Sequence, residues 1–561
     1  MTVLSPAGWT NSTIGPLRSR RGCKTCKIRR VKCGQEKPNC VRCATTGRKC
    51  EYDGPKYGTF SSGSSVVILE NELSVLPNKA SRERRAFAYY SQHAAPLIGG
   101  LDADFWSTVV PRVCHTDPAV WDAVISISSF FESYKPCTPI QKYQDALAWY
   151  ARAVSAVRRR IQLGSVDVFV GLISCVLFIC IEALQGSTHE ALRLYSQGVH
   201  LMLCLRAQIR SGTVPEVKAL LLEDTIVPIF ARLNILANPQ NKIQLGMFLP
   251  DTEHTLAAGF PSLKAAREAL FILTTETQFF QQACEEHHDT TNAFHVPQYL
   301  MDQQSTLLTN LQSWHAAFTT LVESIRMKST VSPQETSASA LLLTHHEMLV
   351  VIITTCVSRF KITTDACLSN FQTIVEQSQI SLDASARPDG SQPPFTFDVN
   401  VGFPLWFTTL RCAEPTTRRE ALQLLRRAPR VQGFYANSVG MAFAENVMIV
   451  EEMFARSMNT GVDPLPPSSK NPLMAPDYSA GVSEGSTVPA CTLLHLSISI
   501  PEEARIKPYG IFRPRDGIPP GREGDVARWN VSHDQTFLQF SRNRLDRETG
   551  NWRVVDECIP V

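Results

Sequence analysis

Six cysteines lie within 28 residues, in "CKTCKIRRVKCGQEKPNCVRCATTGRKC", residues 23–50. They are Cys23, Cys26, Cys33, Cys40, Cys43 and Cys50, spaced C-x2-C-x6-C-x6-C-x2-C-x6-C, and each of the last three follows its counterpart by 17 residues. Closely spaced Cys pairs suit tetrahedral thiolate coordination of zinc. One four-coordinate zinc leaves two cysteines over. Two zincs need eight ligand positions, and six thiolates supply eight only when two of them bridge both metals. By the repeat, the bridging pair are equivalent residues, one from each half.

Two alternatives to a zinc cluster are weak. The first 17 residues carry no charge and no long apolar run, so they do not read as an export signal. Thiols in a reducing compartment bind metal more often than they form disulfides. A RING-type module needs a histidine ligand, and no His occurs before His93.

The charge pattern adds a partner. The chain of 561 residues has a net charge of only +3. Residues 1–56 carry 13 basic residues against 3 acidic ones, so the remainder is net acidic. A basic head on a mildly acidic body points to a polyanion for the head alone. The two halves of the repeat differ in the same respect. The first has Lys24, Lys27, Arg29, Arg30 and Lys32; 17 residues on, Lys27 becomes Ala44, Arg29 becomes Thr46 and Arg30 becomes Gly47. A short helix is expected after each C-x2-C, so only the first helix has a basic face.

"CKTCKIRRVKC", "EKPNC" and the closing "CEY" resemble the DNA-binding domain of the fungal binuclear zinc cluster (Zn2Cys6) transcription factors. The resemblance implies two Zn2+ ions. Cys23 and Cys40 would bridge, with Cys26 and Cys33 completing one site and Cys43 and Cys50 the other. Pro38 falls where the family has a proline between the halves, while Gly34 stands where it usually has an acidic residue. The resemblance also implies double-stranded DNA with CGG-type half-sites as partner, and the nucleus as location. Arg29 and Arg30 would read guanines in the major groove, where Arg pairs bidentately with O6 and N7. Lys24, Lys27, Lys32, Arg42, Lys49 and the arm residues Arg20 and Arg21 are placed for phosphates, which position rather than specify.

Beyond the cluster, the reading is of a large all-α regulatory domain with a minor β element at the C-terminus. The expected organisation is an arm over 1–17, the DNA-binding domain over 18–55, a linker over 56–80 and a helical domain over 81–456. A Pro/Ser-rich segment, 457–490, and the β element, 491–561, follow. "VVILENELSVL", 66–76, reads as a short docking helix, too short for a coiled-coil seam. The longest apolar run, "VFVGLISCVLFICI", 168–181, is too short to span a bilayer comfortably and reads as a core helix. In 145–163, Leu147, Tyr150, Val154, Val157 and Ile161 recur at helical spacing, as do Leu192, Tyr195, Val199 and Met202 in 189–203. Further helices are expected over 306–325 and 341–360, with a loop over 383–394. "TLLHLSISI", 492–500, alternates in part, and "NRLDRETG" between "TFLQFSR" and "NWRVV" offers a hairpin turn. Segments such as 88–132, 179–202 and 405–438 resemble the helical regulatory region of the same family.

Other motifs carry little. "GVSEG", 481–485, matches a nucleophile elbow only in letters, without the strand and helix that motif requires. Cys284, His287, His288 and His295 read as a polar helix end rather than a second metal site. "HHE", 345–347, and "RRR", 158–160, read as structural and as a solvated helix end. No catalytic constellation is found. Monomeric binding and homodimerisation through the helical region are both open, and other partners in the transcription machinery are unspecified.

Overall fold

The apolar run at 168–181 becomes the helix Val168–Gln185, and its residues explain its limits. Asp167 caps the start by accepting from the Phe169 amide, and Gly186 ends it in the left-handed conformation that only glycine adopts without strain. Leu172, Ile173, Val176, Leu177, Ile179 and Cys180 are buried on nearly all sides, against Pro118–Ser133 on one face and Thr188–Arg210 on another. This helix and Pro333–Thr355 are long and apolar enough to cross a membrane, and both pack within the helical body.

The structure is a computed structural model. It describes residues 23–29, 31, 33–34, 39–50, 81–134, 140–164, 167–237, 259–290, 296–328, 330–460, 500–529 and 532–561. The arm, the linker with its expected docking helix, Pro38, "GVSEG" and nearly all of 457–499 lie outside the described residues. The chain divides into two compact units, Met1–Asn78 and Lys79–Val561.

In the larger unit, Pro118–Ser133 packs on Ile140–Gln162 and Val168–Gln185, and Thr188–Arg210 on Val227–Ala237. Leu263–Thr290, Gln298–Arg326 and Pro333–Thr355 form a three-helix bundle around Trp314, Leu311, Phe280 and Leu349. A capping box between Ser332 and Glu335 starts the last of these. Leu368–Ser385, Gly402–Arg411, Pro415–Arg427 and Asn437–Thr460 complete the helical body.

Three expectations are refined. On Ile140–Gln162 the deepest positions are Ala146 and Ala153, while Leu147, Tyr150, Val154 and Val157 are half-buried and Ile161 is 62% exposed. Small side chains let the neighbouring backbone approach, and Ser126 Oγ donates to Ala146 O at 2.8 Å. On Thr188–Arg210, Tyr195, Val199 and Met202 are buried as expected while Leu192 is half-buried, and Gly198 lies directly under the Phe230 ring. The loop expected over 383–394 begins only after Ser385, where the preceding helix ends.

The hairpin forms at the expected place. Strands β1 (Phe395–Thr396), β2 (Val431–Gln432) and β3 (Tyr435–Ala436) make a small sheet within the helical region. The C-terminal sheet joins β4 (Ile506–Phe512), β5 (Phe537–Leu545) and β6 (Trp552–Pro560) in that order, all antiparallel. Leu545 faces Trp552 across the turn, where Asp546 Oδ1 accepts from the Glu548 amide at 3.0 Å and Gly550 has φ of 70°. β4 escapes a sequence reading because Pro508 and Gly510 stand at the less exposed positions where apolar side chains would mark a strand.

This sheet shares a core with Asn437–Thr460: Val447, Val450 and Phe454 pack against Ile506, Leu538, Phe540 and Ile559. Glu451 links the parts. It takes Arg418 Nη2 at 2.7 Å and the Ile506 amide at 2.9 Å, while Arg418 Nε donates to Thr409 O at 2.6 Å. A second buried network joins Asp102, Arg232, Arg267, Glu268 and Asp398, residues far apart in sequence.

Candidate metal centre and nucleic-acid interface

The repeat in the sequence is a repeat in the backbone. Helix Lys24–Ile28 follows Cys23, and helix Val41–Ala44 follows Cys40. The Val31 amide donates to Cys26 O at 3.1 Å, and 17 residues on the Arg48 amide donates to Cys43 O at 3.0 Å. The Cys23 amide donates to Cys33 Sγ at 3.4 Å; its counterpart, the Cys40 amide, donates to Cys50 Sγ at 3.2 Å. Each half therefore folds its third cysteine back over its first by the same bond. Thr25 Oγ1 donates to Lys49 O at 2.7 Å and ties the halves together.

The sulfurs of Cys23, Cys26, Cys40 and Cys43 all lie within 4.8 Å of one another and are fully buried. Cys33 and Cys50 are half-buried and pack against this group. Cys23 lies 3.8 Å from Cys40 and 3.7 Å from Cys43, while Cys26 lies 3.7 Å from Cys40 and 3.9 Å from Cys43. Four thiolates placed tetrahedrally at a Zn–S distance of ~2.3 Å would stand ~3.8 Å apart. The donor set therefore fits zinc.

The thiols are not equivalent. Burial raises Cys23, but the Cys26 amide and the neighbouring thiols outweigh it and the pKa falls; Cys40 falls in the same way through Cys43. At Cys26 burial and the neighbouring thiols all raise the pKa, and at Cys43 burial and Cys40 push it up to about 12. The two thiols whose pKa is lowered are thus equivalent members of the two halves. They are also the pair that the family resemblance marks as bridging.

Among the basic residues, Arg42 and Lys49 are exposed, and Arg29 is half-buried. Arg29 Nη1 donates to Thr46 Oγ1 at 3.3 Å, so this arginine touches its own counterpart in the repeat. Lys24 and Lys27 stand on the first helix. Arg20, Arg21, Arg30 and Lys32 lie outside the described residues. The sequence reading missed Ile28, which is 81% exposed on the first helix, next to Arg29.

The lesser motifs stay structural. His288 Nε2 faces Val357 O at 3.2 Å, and His346 bridges Leu311 O and Glu347; His295 is outside the described residues. Arg160 of the "RRR" run is ion-paired with Asp117, while Arg158 and Arg159 are exposed. Among the described residues the four-cysteine group is the one cluster of three or more His, Cys, Asp or Glu with metal-ligand spacing.

Residues 21–57 match the fungal Zn(2)-Cys(6) binuclear cluster domain. The aspercryptin biosynthesis cluster-specific transcription regulator of Emericella nidulans is 27% identical over 350 residues, covering 54% of this chain and 54% of that protein. A Zn(2)-C6 fungal-type transcription factor of Aspergillus fumigatus is 32% identical, over 20% of this chain and 32% of its own length. The transcriptional regulatory protein pro1 of Neurospora crassa is 48% identical over 20% of this chain and 15% of its own length. The chain spans about half the length, or less, of these relatives. No solved structure matches it. Its N-terminal segment is therefore a fungal Zn(2)-Cys(6) binuclear cluster domain, with two zinc ions as its cofactor.

Proposed function

We propose that this protein is a zinc-dependent, sequence-specific DNA-binding regulator of RNA polymerase II transcription, acting in the nucleus and without a catalytic role. The observation that carries this reading is the unequal repeat. Two halves with one backbone design supply thiolates alike, yet only the first has the basic run "KIRR", whose Lys27 and Ile28 end its helix. In this reading Cys23 and Cys40 bridge the two zincs, Cys26 and Cys33 complete one tetrahedron, and Cys43 and Cys50 the other. Zinc supplies the fold of the module, since so small a unit has almost no apolar core of its own.

The first helix then enters the major groove at a CGG-type triplet. Arg29 and Arg30 read guanines, each good bidentate pair being worth ~1–3 kcal/mol of discrimination. Lys24, Lys27, Lys32, Arg20, Arg21, Arg42 and Lys49 meet phosphates. For Arg29 to reach a base it must leave Thr46, a weak exposed contact to give up. The names of the relatives support a regulatory role, and the helical unit is the part through which a partner or a second copy would act.

A mobility-shift assay with CGG-containing duplex tests the reading. Binding by the full chain that is lost on zinc chelation and restored by zinc supports it. Binding that ignores the chelator, or none with zinc present, would falsify it.

A further inference from the structure

Cys284 and Cys356 stand apart from the chain's other cysteines. Outside the six-cysteine cluster they are the one pair of thiols in hydrogen-bond contact among the described residues, with sulfurs 3.8 Å apart. Cys284 sits near the end of Leu263–Thr290 and is fully buried. Cys356 is the residue that ends Pro333–Thr355, and it is half-buried.

Three contacts hold the pair in register. His288, one turn beyond Cys284, donates from Nε2 to Val357 O at 3.2 Å. Arg359 reaches back to His288 O. From Gln298–Arg326, Gln304 Nε2 donates to Ile353 O at 2.8 Å, just before Cys356. Packing of ordinary core cysteines needs none of this. Cys175 and Cys180, in the apolar helix, make no thiol contact among the described residues.

We propose that Cys284 and Cys356 are an oxidative modification site: a buried dithiol that a peroxide closes to a disulfide. The half-buried Cys356 is where peroxide enters, and it donates its S–H to the Cys284 sulfur. That bond lowers the Cys284 pKa and raises that of Cys356, so Cys284 is the thiolate of the pair. The Cys284 sulfur attacks one peroxide oxygen and the O–O bond breaks. Cys284 is left as a sulfenic acid, and the departing hydroxide takes the proton that the Cys284 thiol gave up to become water. The Cys356 sulfur then attacks the Cys284 sulfur and the S–O bond breaks. Hydroxide leaves with the Cys356 proton as a second water. Two thiols and one hydrogen peroxide give one disulfide and two waters, with two electrons passing from sulfur to peroxide. The sulfurs must close to ~2.0 Å, and Cys356 lies at a helix end followed by a turn, where the backbone can follow. The bond would join residues 72 positions apart and fasten the bundle to the segment entering Lys361–Cys367.

The test uses the full-length, zinc-loaded chain treated with rising hydrogen peroxide, then alkylated and digested without reduction. Trypsin cuts after Arg267 and Arg326 and after Lys328 and Arg359, so the two cysteines fall in different peptides. The expected result is one cross-linked species, lighter by two hydrogens than the two peptides together. It should appear before Cys175 or Cys180 changes and reverse with dithiothreitol. Cys284→Ser should leave Cys356 alkylatable at the dose that closes the native pair. If Cys284 and Cys356 both stay alkylatable at a dose that strips zinc from the cluster, or Cys284 pairs elsewhere, the proposal is overturned. The readout does not depend on DNA binding.

Discussion

The two units of this protein are held by different physics. Among the described residues of the cluster the buried side chains are four cysteines, with Val31, Cys33 and Cys50 packed around them. There is too little apolar area to offset chain entropy, so the metal is the core. In the helical unit more than a hundred residues of separation collapse into contacts such as Asp102 with Arg267, and burial of Leu, Ile, Phe and Trp supplies the stability. Zinc removal and core mutation should therefore act on separate units.

The largest expected effect is chelation. Apparent binding energies of structural zinc run to ~10–16 kcal/mol, so removal should abolish structure in residues 23–50. Circular dichroism should show the helical signal of the rest nearly intact. A chelator that melts the whole chain would break the separation of the two units.

Next is the Arg418–Glu451 pair, where the residues are 1% and 3% exposed. Removing one partner of a buried pair costs ~3–5 kcal/mol, because the other charge is stranded. Arg418→Ala should lower the melting temperature of the helical unit while zinc content stays unchanged. Gly198→Ala is smaller: a Cβ there meets the Phe230 ring, and overpacking costs ~1–3 kcal/mol. The smallest is Ile161→Ser. Its side chain is 62% exposed, so the change should stay within ~0.5 kcal/mol by thermal melting. A large loss there would mean that the face read from the sequence is buried after all.

The same contrast explains what could be read from the chain. Ligand spacing is local, and 28 residues contain the whole cluster, so its twofold design was legible without a structure. The helices were legible from their periodicity, and the final hairpin from "NRLDRETG". What joins them was not. Glu451 finds Arg418 and the Ile506 amide across long separations, and nothing near any of the three announces it. Ile161 continues a periodic face yet stays exposed, because periodicity reports which residues share a face and not where the neighbouring helix stops. The Cys284–Cys356 contact is hidden in the same way, since its members lie on different helices. In the site itself, spacing revealed the thiolates, but the hydrogen bond from Arg29 to Thr46 needed the fold.

The central claim is that one half of the repeat reads bases and the other completes the metal cluster. Binding-site selection with Arg30→Ala and Lys49→Ala in the full chain tests it most directly, with salt dependence measured for each. Arg30→Ala should flatten preference at the CGG triplet. Lys49→Ala should keep the preference, weaken all sequences alike and reduce the salt slope by about 0.9. Two variants with the same selected site and the same salt slope would contradict the division of labour between the halves.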